Sequence, residues 1–365
     1  MDLKEISANP EKYKTIWRIV NFIERITLGP LTIPIETPNE VVWMWEKSTL
    51  IRYLSPTRRI RFRTPVLIVP PLMVKPTIFD LRPGHSMVAF LVNYGFNLFM
   101  VDFGIPRRHD RYISVDHYVT EFIPEAIKKI VELTGEKEVS LIGWSMGGIM
   151  SLLYTAIFEN LHVRNLVTIG SPVDYGKMFP FNILARLIEL PGVKKGIDLM
   201  GNIPPFITKN GFRILTPLKN IQRYITLVDH YWDREWVAAY ETINDWIEDF
   251  IPYPGEAFKQ FVSEFIKDDK LRKGQLKIGN RYVDLSKIRV NVLSFVGTTD
   301  IIAPKPSVEA IKKFLPHSKV ELKYVPLGHI GLVAGSEAPE LVWKPMAEWL
   351  ASHSEEIKSA EETGN

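Results

Sequence analysis

"LIGWSMGGIM", residues 141–150, sets a serine between two glycines, behind one apolar run and ahead of another that can open a helix. Gly143-Trp144-Ser145-Met146-Gly147 is the G-x-S-x-G of a nucleophile elbow, in which the chain turns sharply from strand to helix and lifts one side chain out of the turn. Glycine suits both ends. A larger residue would add a Cβ where strand and starting helix crowd together, and glycine tolerates unusual backbone angles at little cost. The flanks agree: "EKEVSLIG" is a β-rich run, and "GIMSLLYTAIF" continues with helical apolar spacing. A bare G-x-S-x-G recurs by chance, so a Gly-Ser turn without chemistry is the plain alternative until partners for the serine are found.

Composition bounds the search. The chain has 365 residues, 46% hydrophobic and 24% charged, which makes it globular and long enough for one large α/β domain with an insertion. A net charge of +3 leaves no footprint of nucleic-acid binding. The local basic run "RRIRFR" (58–63) alternates as an edge strand does, with Ile60 and Phe62 on one side, and reads as a solvated face in preference to a phosphate site. There is no cysteine, which removes disulfides, thiolate metal sites and a thiol nucleophile together. No cofactor or metal is implied. The N-terminus "MDLKEISANPEKYK" is charged and lacks an apolar signal core, and no apolar run reaches the ~20 residues of a membrane span. A soluble, cytoplasmic protein is the expectation.

Residues 1–57 read as a lead-in: an amphipathic helix ("YKTIWRIVNFIERI") and a stretch of strand character ("VVWMWEKSTLIRYL"). Over 58–175 strands and helices alternate: "PVLIVPPL", "SMVAFLVNYG", "FNLFMVDFG", "VTEFIPEAIKKIVELTG", "VSLIG", "MGGIMSLLYTAIF", "VRNLVTIGSP". Such alternation predicts an α/β fold, a mostly parallel sheet with helices on both faces. It lapses between 176 and 284 into helix-like, aromatic-rich sequence and resumes over 285–353 with "RVNVLSFVGTTD" and "KVELKYVPLGH". An insertion rich in Trp, Tyr and Phe between core strands reads as a helical cap over the site, with a helical subdomain packing its own core as the plainer reading. Its Trp232, Trp236 and Trp246 recur at spacings able to line one helical face. Residues 354–365 read as a flexible acidic tail.

A serine hydroxyl is a weak nucleophile and needs a base and an orienting carboxylate within reach. In a fold with this elbow the chain order is Ser, then Asp or Glu, then His, both partners lying on loops at the carboxyl ends of later strands. Of the eight histidines only His329, in the glycine-flanked loop "LGHIG" after an apolar strand, meets that rule. By the same rule "VNVLSFVGTTDIIAP" makes Asp300 the acid, although the same side chain could simply close an Asx turn. Asp300 would then hold the imidazole tautomer while His329 takes the Ser145 proton.

The developing oxyanion needs donors already in place. One is the backbone N–H of Met146, just after the nucleophile, where the helix dipole also favours negative charge. The second belongs to the loop after the first core strand, "VPPLMVKP". Pro70 and Pro71 have no N–H, which leaves Leu72 and Met73, with Met73 preferred and a rigid loop exit as the alternative.

Several stretches, in this order, resemble one family: "TPVLIVPPLMVKPTIFDLRPGHSMVAFLVNYGFNLFMVDFG", "RYISVDHYV", "VTIGSPVDY", "PGEAFKQF", "VDLSKIRVNVLSFVGTTDIIAP" and "LGHIG". Together they look like the poly(3-hydroxyalkanoate) synthases of the α/β-hydrolase superfamily, most of all the short-chain type that works with a second subunit. The likeness runs from about residue 35 to 350, cap included. It implies an α/β-hydrolase fold and a 3-hydroxyacyl-CoA thioester as substrate, with Asp300 and His329 in the family's catalytic positions. It also implies either a homodimer or a second synthase-type subunit as partner. The sequence departs from the family at one place: the nucleophilic cysteine is replaced by Ser145.

That atom bears on the acceptor. A cysteine holds the acyl group as an activated thioester, whereas a serine holds it as an ordinary oxyester. Transfer from an oxyester to another alcohol is nearly balanced in free energy, and hydrolysis runs downhill. The residues alone therefore lean to a serine hydrolase acting on 3-hydroxyacyl esters or thioesters. The alternatives are a synthase or acyltransferase that uses Ser145 and, third, a non-catalytic protein binding polyester granules. A dry, closed cap suppresses hydrolysis whatever the nucleophile.

Overall fold

The computed structural model describes residues 5, 10–29, 37–56, 59–215 and 226–357. Its centre is one eight-stranded sheet. The strands are β1 (Asn39–Trp45), β2 (Ser48–Tyr53), β3 (Val66–Val69), β4 (Leu98–Asp102), β5 (Val139–Trp144), β6 (Val163–Ile169), β7 (Asn291–Gly297) and β8 (Val320–Val325). They lie in the order β1-β2-β4-β3-β5-β6-β7-β8. From β4 to β8 every neighbouring pair is parallel, and β1 and β2 add an antiparallel edge. The stretch of strand character in the lead-in is thus a hairpin, turned at Glu46 and Lys47 with Glu46 at φ 54°.

Side-chain alternation along the strands divides the interior into two layers. Leu67, Val69, Phe99, Val101 and Leu141 face one layer, with α3 (Ile123–Thr134) and α4 (Met146–Ile157). Val66, Ile68, Leu98, Met100, Ile142 and Trp144 face the other, with α2 (Met87–Tyr94) and the C-terminal helix Lys344–Ser352. Every residue of β3 and β5 is buried, as a parallel strand covered on both faces requires. Burial at ~25 cal/mol per Å² of apolar surface makes these central strands the main source of stability.

Between β6 and β7 the chain leaves the sheet for a mostly helical insertion, including Pro191–Met200, Pro205–Leu215, α5 (Arg234–Glu248) and Gly255–Gln260. Asp233 caps α5 by accepting from the N–H of Trp236 (3.1 Å). The expected single face of tryptophans is absent. Trp232 precedes α5 and lies under the Lys14 ammonium, Trp236 stacks on His230 and Tyr240, and only Trp246 turns toward the sheet.

The lead-in helix α1 (Lys14–Leu28) is amphipathic as expected, but it docks by its polar face. Arg18 donates to Asp229 O (3.0 Å), the fully buried Asn21 donates to Tyr231 O (2.9 Å), and Arg25 pairs with Glu241. Its apolar Ile19, Phe22, Ile23 and Ile26 are exposed. The run "RRIRFR" forms no strand over its described part, 59–63. Phe62 is buried, making one bridge to Glu356 and stacking on Phe96, whereas Ile60 is exposed, so the two do not share a side. Arg61 pairs with Glu356. The tail lies outside the described residues from 358 onward. Among the described residues no helix is long and apolar enough to cross a membrane.

Candidate active site

The elbow joins β5 to α4. Ser145 sits between them at φ 53° and ψ −122°, a backbone conformation L-residues rarely adopt and one that stores strain on the order of 1–3 kcal/mol. Its N–H is held by Ile169 O at the end of neighbouring β6 (2.8 Å). The glycines show why nothing larger fits. A Cβ on Gly143 would lie 2.4 Å from the Gly148 backbone, one on Gly147 would lie 2.0 Å from Val69 O, and one on Gly148 would lie 2.1 Å from Ser171 Oγ. The third glycine, Gly148, is a requirement that the five-residue motif does not express.

The three residues expected from the sequence stand at the carboxyl ends of β5, β7 and β8. Asp300 and His329 are in direct contact, with His329 Nδ1 2.8 Å from Asp300 Oδ2. A carboxylate can only accept, so Nδ1 carries a proton in this contact, and in the neutral ring Nε2 is the acceptor. Asp300 Oδ1 accepts from the N–H groups of Ile302 and Ala303, both at 2.9 Å. The Asx turn and the orienting role therefore use different oxygens of one side chain. The Asp300 side chain is fully buried and that of His329 nearly so, which keeps their contact out of competing water. Ser145 is partly exposed, and its hydroxyl makes no hydrogen bond among the described residues. It is brought toward His329 through β6: Ile169 holds the Ser145 N–H, and the next residue, Gly170, would place a Cβ 3.3 Å from His329 Nδ1. Hydrogen bonds of this kind often close only once substrate is bound.

The N–H groups of Met146 and Gly147 open α4 and have no acceptor among the described residues, as expected at a helix N-terminus. Met73 occupies the left-handed region at φ 65°, and its carbonyl accepts from Ile251 N–H of the insertion (3.1 Å). Leu72 to Val74 also line a small cavity with Asp102, Tyr118 and Ile251. Burial holds the Asp102 carboxyl above the ordinary carboxylate range, against the opposing effects of the Gly104 N–H and the Lys75 charge.

Two tryptophans flank the site. Trp144 lies 5.2 Å from the His329 ring between centroids, and Trp246 of α5 lies 6.2 Å from Trp144. Its place directly before Ser145 in the elbow was the available signal for the first, and its place among the tryptophans of the insertion for the second.

Family models match the chain over residues 85–335 (alpha/beta hydrolase fold) and 32–91 (poly-beta-hydroxybutyrate polymerase (PhaC) N-terminus). The poly(3-hydroxyalkanoate) polymerase subunit PhaC of a Synechocystis strain is 30% identical over 324 residues, 86% of this chain and 84% of its own. This chain belongs to the PhaC polymerase family. The PhaC of Haloferax mediterranei is likewise 30% identical, over 88% of this chain, which spans 65% of that relative's length. A candidate lipase from Sulfolobus solfataricus shares the fold at a TM-score of 0.56 and 16% identity, covering 86% of this chain and 93% of its own. The chain is an enzyme of the α/β-hydrolase fold in the PhaC family, with a serine at its elbow.

Proposed function

We propose that this protein is a polyester-forming acyltransferase of the poly(3-hydroxyalkanoate) polymerase type that uses Ser145 as its nucleophile. The supporting observation is the extent of the likeness: relatives named as polymerase subunits align over 86–88% of the chain, insertion included. The preference for water as acceptor, drawn from serine alone, is not what those relatives favour.

In this reading Ser145 Oγ attacks the carbonyl carbon of a 3-hydroxyacyl-CoA thioester while His329 Nε2 takes its proton. The N–H of Met146, joined by that of Met73, receives the oxyanion. The C–S bond breaks, CoA leaves with the proton returned by His329, and the acyl group stays on Ser145 as an oxyester. His329 then deprotonates the hydroxyl of a second 3-hydroxyacyl-CoA, which attacks that ester. The bond from the carbonyl carbon to Ser145 Oγ breaks, Oγ takes back the proton from His329, and the lengthened chain, now a CoA thioester, reacylates Ser145 as in the first half. Asp300 stabilises the imidazolium in both halves. No cofactor takes part; the CoA thioester is substrate. The insertion acts as a cap that keeps water from the oxyester.

Hydrolysis is the second reading, favoured by the oxyester itself. The two separate on products: pure protein with 3-hydroxybutyryl-CoA should release CoA and accumulate oligomer. Free acid as the sole product would establish the hydrolase. Ser145→Cys restores a thioester intermediate and should raise the ratio of oligomer to free acid, because the acyl group is then activated for transfer. An unchanged ratio would mean that the cap selects the acceptor, not the nucleophile.

A further inference from the structure

One residue of the insertion touches both halves of the site. Trp246, in the last turn of α5, is 5% exposed, and its indole N–H donates to Lys75 O (2.9 Å) in the loop that carries Met73. The same ring lies tilted against Trp144, whose other ring neighbours are an edge-on Phe79 and His329. Trp144 is 3% exposed and its indole N–H has no acceptor among the described residues, so packing alone sets its position. Two more contacts fasten the same stretch of the insertion to the same loop: Asp249 pairs with Lys75 Nζ, and Ile251 N–H donates to Met73 O.

We propose that Trp246 is a positioning residue that makes seating of the insertion a condition for turnover. It fixes the loop whose Met73 N–H faces the oxyanion, and it wedges Trp144 against His329. The backbone of Met73 explains why the loop needs fastening. A β-unbranched residue at φ 65° is held in the left-handed region only where its surroundings determine it, and here the Met73 carbonyl is held by the Ile251 N–H of the insertion beside the core packing of Leu72 and Val74. A residue that binds substrate would alter KM; one that orients the oxyanion donor and the base alters kcat.

The proposal rests on Ser145 acylation, and the test separates the two. Steady-state CoA release from 3-hydroxybutyryl-CoA is measured with the full chain and with Trp246→Phe, Asp249→Asn and Ser145→Ala, each alongside a thermal melt. Trp246→Phe keeps a ring against Trp144 but loses the bond to Lys75 O. It should lower kcat about tenfold with KM within about twofold, less than the ~10²–10³ lost with an oxyanion donor itself. Asp249→Asn removes a half-exposed ion pair and should lower kcat about twofold, as such pairs contribute little. A folded Trp246→Phe protein with wild-type kcat, or with raised KM alone, overturns the proposal. If that variant does not fold, an unchanged kcat in Asp249→Asn overturns it and a lowered kcat upholds it. CoA release that persists in Ser145→Ala would instead remove the nucleophile assignment.

Discussion

The Asp300–His329 pair and the Met73 loop are anchored in different ways. Asp300 and His329 sit at the ends of adjacent core strands, and the fully buried carboxylate receives two backbone N–H groups besides the imidazole. Gly170 and Gly297 leave room there, since a Cβ on either would come within 3.4 Å of the Asp300 or His329 side chain. The Met73 loop packs Leu72 and Val74 into the core and is also fastened by Trp246, Asp249 and Ile251, residues more than 170 positions away in the chain. The Asp300–His329 pair is thus fixed by the sheet, and the Met73 loop is tied to the insertion as well as to the core. Substrate entry that displaces the insertion would release the Met73 loop and the Trp246–Trp144 contact beside His329 and leave the Asp300–His329 hydrogen bond in place.

Substitutions can break this contrast. The largest effect is expected from Ser145→Ala, which should abolish labelling by a fluorophosphonate, mapped by peptide mass to the elbow. A label that survives would show that another residue is acylated. Gly147→Ala should prevent folding or lower the melting temperature sharply, because its Cβ would collide with the Val69 carbonyl of the central strand. His329→Ala should cost at least ~10²-fold in turnover with the melting temperature little changed, and a near-normal rate would mean a different base. On the side of the Met73 loop the tenfold loss expected at Trp246→Phe is smaller and confined to kcat.

The smallest effect concerns stability beside the Met73 loop. Burial raises the Asp102 carboxyl above its ordinary range, so the folded state disfavours the ionised form. The unfolded chain releases that proton first, and the resulting loss of stability begins as pH rises through the unfolded carboxylate range near 3.8. Asp102→Asn, which retains an acceptor for the Gly104 N–H (2.8 Å), should therefore raise the melting temperature at pH 7. The gain should vanish below about pH 4, where Asp is protonated in both states. A gain independent of pH would show that packing, not charge burial, is responsible.

The same contrast explains what could be read from the sequence. The elbow, the order of Ser145, Asp300 and His329 and the strand–helix alternation are local patterns, enforced by backbone sterics and by burial on both faces of a sheet. Their positions at strand ends followed directly. The fastening of Met73 depends on contacts between segments far apart in the chain, for which no short motif exists. Trp232, Trp236 and Trp246 looked equivalent by spacing, yet the geometry of the insertion gave them three different environments. "RRIRFR" alternated like a strand, but Phe62 found its partners in Tyr94 and Phe96 and no ladder formed. In α1 periodicity predicted the helix but not which face would dock, because ion pairs with α5 hold the polar side inward.

The most direct test of the central claim, that Ser145 carries a growing polyester chain, is the mass of the peptide containing it after turnover of 3-hydroxybutyryl-CoA is stopped with acid. A ladder of several 3-hydroxybutyrate units on that peptide, absent from Ser145→Ala, is the expected result. A peptide carrying a single unit while free acid accumulates, or an unmodified peptide beside released CoA, would contradict it.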